Sequence, residues 1–183
     1  MKKGVVGLVS AVSFIALFCF CGDSGTNVPV EAVTTTPLAS LRLDSTVVVG
    51  LKETNYSTGD TSQVFNSVNG GAIQFIAHGM KSFSKQEMDK SGASVKLVII
   101  DFITVANAKS MFAWSKASFG ALALAWGTYS PGNVFIHNDM STSNICAQIN
   151  KYYFELQFYT NDDSLGTQQT AQAVYNKYIS LIK

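Results

Sequence analysis

The chain has 183 residues, 47% of them apolar and 14% charged, with a formal net charge of +1. That length holds one domain of ordinary size and not two; near-neutral charge excludes both the basic excess of a nucleic-acid binder and the charge-rich composition of a disordered chain. The apolar excess is local: residues 1–21 hold 15 of the 86 apolar residues and two charges, while the other 162 are about 44% apolar with a net charge of −1, ordinary for a globular domain.

Met1-Lys2-Lys3 precedes an apolar core over residues 5–20, at the long end for a signal peptide and short of a membrane span. No second hydrophobic run is long enough to cross a bilayer. Cys21 closes the core, and a stretch rich in Ser, Thr, Pro and Val runs to about Ser40. This arrangement resembles a bacterial lipoprotein signal, with Phe20 where such signals place a small residue. The resemblance implies a signal over 1–21, a diacylglyceryl group on Cys21, a flexible tether over 22–40, and an exported protein anchored by lipid to a bacterial membrane of the cell envelope. Ordinary cleavage after Cys21 and an uncleaved N-terminal anchor are the alternatives. With Cys19 and Cys21 in the signal, Cys146 stands alone. No intramolecular disulfide is expected, and Cys146 reads as a small strand residue instead of a nucleophile.

Residues 41–183 form the folded domain. Residues 41–52, with Val47, Val48 and Val49, read as a first strand. Asp60, Thr61 and Ser62 offer capping oxygens to a helix carrying Val64, Val68, Ala72 and Phe75 through Ala77, and Gly79 can close it in a left-handed conformation. Gly70 and Gly71 fall inside that helix. Each costs about 1 kcal/mol there, so they imply either a close approach by another element or a break. Residues 80–90 read as a strand of mixed polarity, Ser91-Gly92 as a turn, and 95–100 as a β-branched central strand covered on both faces.

Thr104 caps the next helix, whose stripe is Val105, Ala108, Phe112, Ser115 and Phe119, with Gly120 at its end. Residues 134–137 read as a strand. An Asn150-Lys151 turn between 144–149 and 152–159 makes a hairpin in which Ile149 faces Tyr152, Ala147 faces Phe154 and Ile145 faces Leu156. Its other side collects Asn144, Cys146, Gln148, Tyr153, Glu155, Gln157 and Tyr159, either solvated or lining a wet groove. Residues 167–183 make a last helix with Ala171, Val174, Tyr178 and Leu181 on its apolar stripe, widened by Tyr175, Ile179 and Ile182. Asp162 and Asp163 sit just ahead of it, where acidic groups favour a helix start. The order β-α-β-β-α-β-β-β-α predicts an α+β fold: an antiparallel sheet of five to six strands covered by three helices.

Residues 63–119 carry Asn69-Gly70-Gly71-Ala72 in the first helix, then Gly79, two strands, and Phe112-Ala113-Trp114 in the second helix. This pattern resembles an uncharacterised family of bacterial exported proteins, whose hallmark is an Asn-Gly-Gly/Ala-Ala segment followed by an aromatic-Gly-Phe step. Here His78-Gly79-Met80 replaces that step, and Gln74 stands where an acidic residue is expected. The resemblance implies no activity. The element order is also similar to the PsbP-like sandwich of envelope domains, a likeness of fold that does not fix function.

His78 and His137 lie far apart and have no partner at metal-ligand spacing, so no metal is expected. There is no nucleophile elbow, Walker loop or dinucleotide fingerprint, hence no expected cofactor. The residues named for a ligand or partner groove are Gln148, Tyr153, Glu155 and Gln157 on the hairpin, with Trp126 and Tyr129 from the loop before it. The first reading is therefore a non-catalytic, membrane-tethered module that binds a partner protein or a small ligand through a sheet face and its loops. The second is an envelope hydrolase using Glu155, Asp101 or His137, which requires a pocket joining at least two of them.

Overall fold

The structure, a computed structural model, describes residues 35–68, 71–90, 93–120, 122–123, 133–138, 142–159 and 165–182. All fall in one compact unit spanning residues 31–183. Cys21, Gly70, Asp162 and Asp163 lie outside the described residues. The strands are β1 (Leu51–Asp60), β2 (Met80–Lys90), β3 (Ala93–Phe102), β4 (Leu122–Ala123), β5 (Val134–Asn138), β6 (Ser143–Ile149) and β7 (Tyr152–Phe158). The helices are α1 (Val64–Ser67), α2 (Ala72–Ala77), α3 (Val105–Phe119) and α4 (Leu165–Leu181). The fold is α+β.

One antiparallel sheet runs in the order β1-β2-β3-β7-β6-β5-β4. It consists of two meanders, β1 to β3 and β4 to β7, joined where β3 pairs with β7. Six of its strands have five or more residues; two-residue β4, at the edge, has no counterpart in the sequence reading. Alternation along the strands sends side chains to two faces, and both are covered. On one face Leu97, Ile99, Ile145, Phe154 and Leu156 pack with Leu41, Leu43 and the α4 residues Val174, Tyr175 and Tyr178. On the other, Phe83, Val98, Ile100, Phe135 and Tyr153 pack with Val64, Ala72 and Phe75 and with Ala108, Met111 and Phe112 of α3. Covering both faces explains the continuous apolar run of β3, where Val95 and Leu97 to Ile100 are at most 1% exposed.

The hairpin has the expected register, with Ile149 opposite Tyr152, Ala147 opposite Phe154 and Ile145 opposite Leu156. Asn150 turns at φ 51°, and its side-chain oxygen accepts from the Lys151 amide at 2.8 Å; Asn tolerates that backbone and supplies the bond. Both ends of α3 also match: the Thr104 hydroxyl accepts from the Asn107 amide at 3.1 Å, and Gly120 closes the helix at φ 58°.

Three expectations are corrected. Residues 41–52 are not a strand. Asp44 Oδ1 accepts from the Thr46 amide at 2.8 Å, the chain turns through Gly50 at φ 83°, and β1 starts only at Leu51. The local side-chain bond offers the backbone an alternative to a ladder, and the β-branched run divides, with Val48 buried and Val49 89% exposed. The first helix is two helices, so the described residues hold four and not three. Val68 adopts extended angles (φ −124°, ψ 101°), and α2 restarts after Gly71. Third, the stripes of α3 and α4 are not wholly buried: Phe119 is half exposed, and Leu181 is also exposed.

Gly79 follows α2 at φ 82°, and a Cβ there would lie 2.8 Å from Asn107 Nδ2. Gly79→Ala should lower stability by about 1–2 kcal/mol, the cost of a left-handed L-residue, read as a lower denaturant midpoint with an unchanged slope.

Candidate functional site

The β3–β7 register places Lys96 opposite Gln157 and Val98 opposite Glu155, on the face covered by α1 to α3. Between this row and the helices lies a cavity of about 340 Å³. Its walls are apolar, from Val68, Phe75, Met111, Trp114 and Phe119; its floor carries Lys96, Glu155 and Gln157. The helix break at Val68 and the glycine at 71 both border it.

The floor is ordered by hydrogen bonds. Gln157 Nε2 donates to Glu155 Oε1 at 2.5 Å, and the Tyr159 hydroxyl donates to Gln157 Oε1 at 3.1 Å. Burial pushes the Glu155 carboxyl above the ordinary carboxylate range, opposed by the Gln157 amide and the Lys96 charge. The folded chain thus holds this proton more tightly than the unfolded chain. The resulting loss of stability is absent below the ordinary value of 4.5 and develops as pH rises through the window up to the raised folded value. Glu155→Gln should therefore be more stable than the parent at neutral pH, and the difference should vanish in acid below 4.5. Paired urea melts across that range check it; a variant equally stable or weaker at neutral pH would contradict the burial cost.

Deeper in the same face, Ser115 Oγ and the Tyr153 hydroxyl are 2.9 Å apart. Cys146 is fully buried, and its thiol is pushed well above the ordinary value by that burial and by Glu155. It is a strand residue facing the core.

Of the groove residues named from sequence, Glu155 and Gln157 line the cavity. Tyr153 and Gln148 are buried, 1% and 2% exposed, beneath the helical layer and beside the turn. Trp126 and Tyr129 lie outside the described residues. The three groups named for a hydrolase do not share one pocket. Asp101 points to the opposite face, where it pairs with Lys151 at 2.9 Å beside a larger, more open cavity of about 630 Å³. His137 stands on the Glu155 side of the sheet and stacks on Phe119, ring centroids 4.1 Å apart. His78 Nδ1 lies 3.0 Å from Ser110 Oγ. Among the described residues, no group of three His, Cys, Asp or Glu side chains could hold a metal ion, and no helix is long and apolar enough to cross a membrane.

Sequence reasoning missed Lys96, Phe75 and Met111 as cavity residues. Lys96 was the available signal, a single charge inside the apolar run 95–100. A charge on a covered face needs a polar or open neighbour.

No protein-family model matches this chain, and no curated protein matches it. Among solved structures, the chain is similar to the extracellular domain of PknH from Mycobacterium tuberculosis, at 9% identity and a TM-score of 0.56 over 81% of this chain and 98% of that one. A second match is a putative uncharacterized protein, the Rv0999 ortholog from Mycobacterium smegmatis, at 9% identity and a TM-score of 0.35 over 82% of this chain and 97% of that one. The likeness to the PknH domain is one of fold alone.

Proposed function

We propose that this chain is an exported, membrane-tethered module of the bacterial cell envelope that binds a small amphiphilic ligand without transforming it. The observation that carries the reading is the cavity between the sheet and α1 to α3: about 340 Å³, with apolar walls and the polar floor of Lys96, Glu155 and Gln157. That volume and that division of chemistry suit a small molecule with an apolar body and a hydrogen-bonding head. The lipid on Cys21 supplies the tether and the export signal the location; an extracellular domain of similar fold supports the latter. Helices on both sides of one sheet support the PsbP-like reading of the fold. The motif around Gly71 supports membership of the exported family named above. Binding is preferred to hydrolysis because Glu155 lines this cavity while Asp101 lies across the sheet.

Native mass spectrometry of the chain purified from its own membranes tests the reading. A retained small molecule is expected, and it should be lost from Gln157→Trp, whose indole fills the cavity floor. A parent mass equal to that of the lipidated chain alone, or equal retention by the folded variant, would overturn it.

A further inference from the structure

The layer α1 to α3 packs its inner side on the sheet, but its outer side is not that of an ordinary surface helix. Phe65, Ile73, Ile76 and Ile103 are all exposed there, Ile73 at 65% and Ile103 at 63%, and half-exposed Phe119 ends the layer. The other large apolar side chains exposed among the described residues are scattered, Val49 in the turn before β1, Tyr159 just after β7 and Leu181 at the end of α4, so the exposed apolar surface is concentrated on this layer.

The charge pattern is equally one-sided. Residues 61–79 and 103–120 contain no Asp or Glu; their cationic side chains are Lys109 and Lys116. The nearest carboxylate in sequence, Asp60, is engaged by the Ser62 amide at 2.8 Å and the Ser62 hydroxyl at 2.6 Å. Helices α1 and α2 carry no charged side chain. A water-facing helix normally sets polar and charged groups opposite its core stripe; these two set isoleucine and phenylalanine there.

The chain enters the domain on the α4 face, at the end of the sheet where β1 leads into α1, so the tether passes the sheet edge to bring this layer to the membrane. Tyr152 donates its hydroxyl to the Thr36 carbonyl at 2.6 Å, and Thr35 to Ala39 line the larger cavity together with Asp60 and Gln63, which lead into α1. Cys21 precedes Thr35 by 14 residues, a reach of at most roughly 50 Å even fully extended. We propose that the outer surface of α1 to α3 docks on an anionic lipid bilayer, with Phe65, Ile73, Ile76 and Ile103 entering the interface and Lys109 and Lys116 meeting the headgroups. Apolar burial together with attraction to anionic lipid is how interfacial surfaces hold a membrane. The geometry rests on the tethered reading of Cys21; it does not depend on the ligand cavity.

The test uses the full chain, purified with its anchor and reconstituted on vesicles of phosphatidylcholine with or without phosphatidylglycerol. A nitroxide is placed at Ile73→Cys or, on the opposite side of the sheet, at Lys177→Cys; the chain without added cysteine subtracts any label on Cys19, Cys21 or buried Cys146. On the anionic vesicles the Ile73 label should show a several-fold loss of collisions with a water-soluble nickel complex and a gain with oxygen, while the Lys177 label should stay aqueous. Lys109→Glu with Lys116→Glu should return the Ile73 label to water although the chain stays on the vesicle. A chain that sediments with vesicles but leaves Ile73 as wet as Lys177 would overturn the docking surface alone; one that does not sediment would overturn the tether as well. Protection that is equal on neutral vesicles, or that is present without vesicles and rises with protein concentration, would overturn it too, the last by assigning the surface to a second copy of the chain.

Discussion

Lys151→Ala is expected to lower the unfolding free energy by about 3–5 kcal/mol, the cost of stranding one partner of a buried ion pair. Lys151 is the second residue of the hairpin turn, yet its side chain is only 6% exposed and its ammonium lies 2.9 Å from Asp101 Oδ1, itself in a side chain 10% exposed. Oδ1 has no hydrogen-bond partner apart from this ion pair, so removing the lysine strips this oxygen of its partner. The adjoining cavity of about 630 Å³ admits water to the pair, which places the expected loss toward the lower end of the range. The same turn is held through the backbone, where the Phe102 amide donates to the Lys151 carbonyl at 3.0 Å. An alanine keeps that bond, so the loss reports the side chain. Asp101→Asn combined with Lys151→Met should recover most of it, because the combined change leaves no buried unpaired charge. Chemical denaturation of the single and double variants measures both; a single variant within about 1 kcal/mol of the parent, as an exposed pair would give, would contradict the buried-pair account.

Phe154→Ala should cost a similar amount, about 3–5 kcal/mol, by the lost transfer of a buried ring together with the void it leaves. Phe154 is 4% exposed in the middle of β7, with Ile99 opposite it on one side and Ala147 on the other. Its ring stacks on that of Tyr178 in α4, centroids 4.6 Å apart. Tyr178 in turn donates its hydroxyl to the Leu41 carbonyl at 2.7 Å, so this one ring joins the central strand, the last helix and the segment before β1. Close packing around it leaves little room for collapse into the vacated space. Phe154→Leu should cost markedly less than the alanine change, since most of the volume is restored. Equal losses for the two, read from denaturant midpoints, would show that the ring geometry matters more than the filled volume.

What the residues reveal by themselves is whatever local chemistry decides. Strand β2, the ends of α3 and the hairpin register were legible because Thr104, Gly120 and Asn150 carry their own turn or cap chemistry and because a one-residue slip would mix the two faces of β7. The run Val47 to Val49 misled for the same reason in reverse: its β-branched side chains suit a strand, but the bond from the Thr46 amide to Asp44 and the left-handed Gly50 decide the backbone. The two glycines inside the first helix signalled a break or a close approach. The chain breaks between α1 and α2, and Gly71 also sits against the Phe75 ring, where a Cβ would come within 2.9 Å.

The candidate site was legible only in part. Alternation showed that Glu155 and Gln157 share a face with Tyr153 and Gln148, but period two carries no information on what lies above that face. Helices α2 and α3 cover Tyr153 and leave the cavity over Glu155, and only the long-range β3–β7 pairing brings Lys96 beside them. Asp101 and Glu155 sit on neighbouring strands, yet Glu155 lies opposite Val98, three residues from Asp101 along β3, and that odd separation sends the two carboxylates to opposite sides of the sheet.

The ligand cavity beneath α1 to α3 is the central claim. A crystal structure of the chain isolated from its own membranes tests it most directly. Non-protein density is expected between the rings of Phe75 and Trp114 and the floor formed by Lys96, Glu155 and Gln157, with a polar end toward Glu155. A cavity holding only water, or closed by inward movement of Phe119 and Trp114, would contradict it.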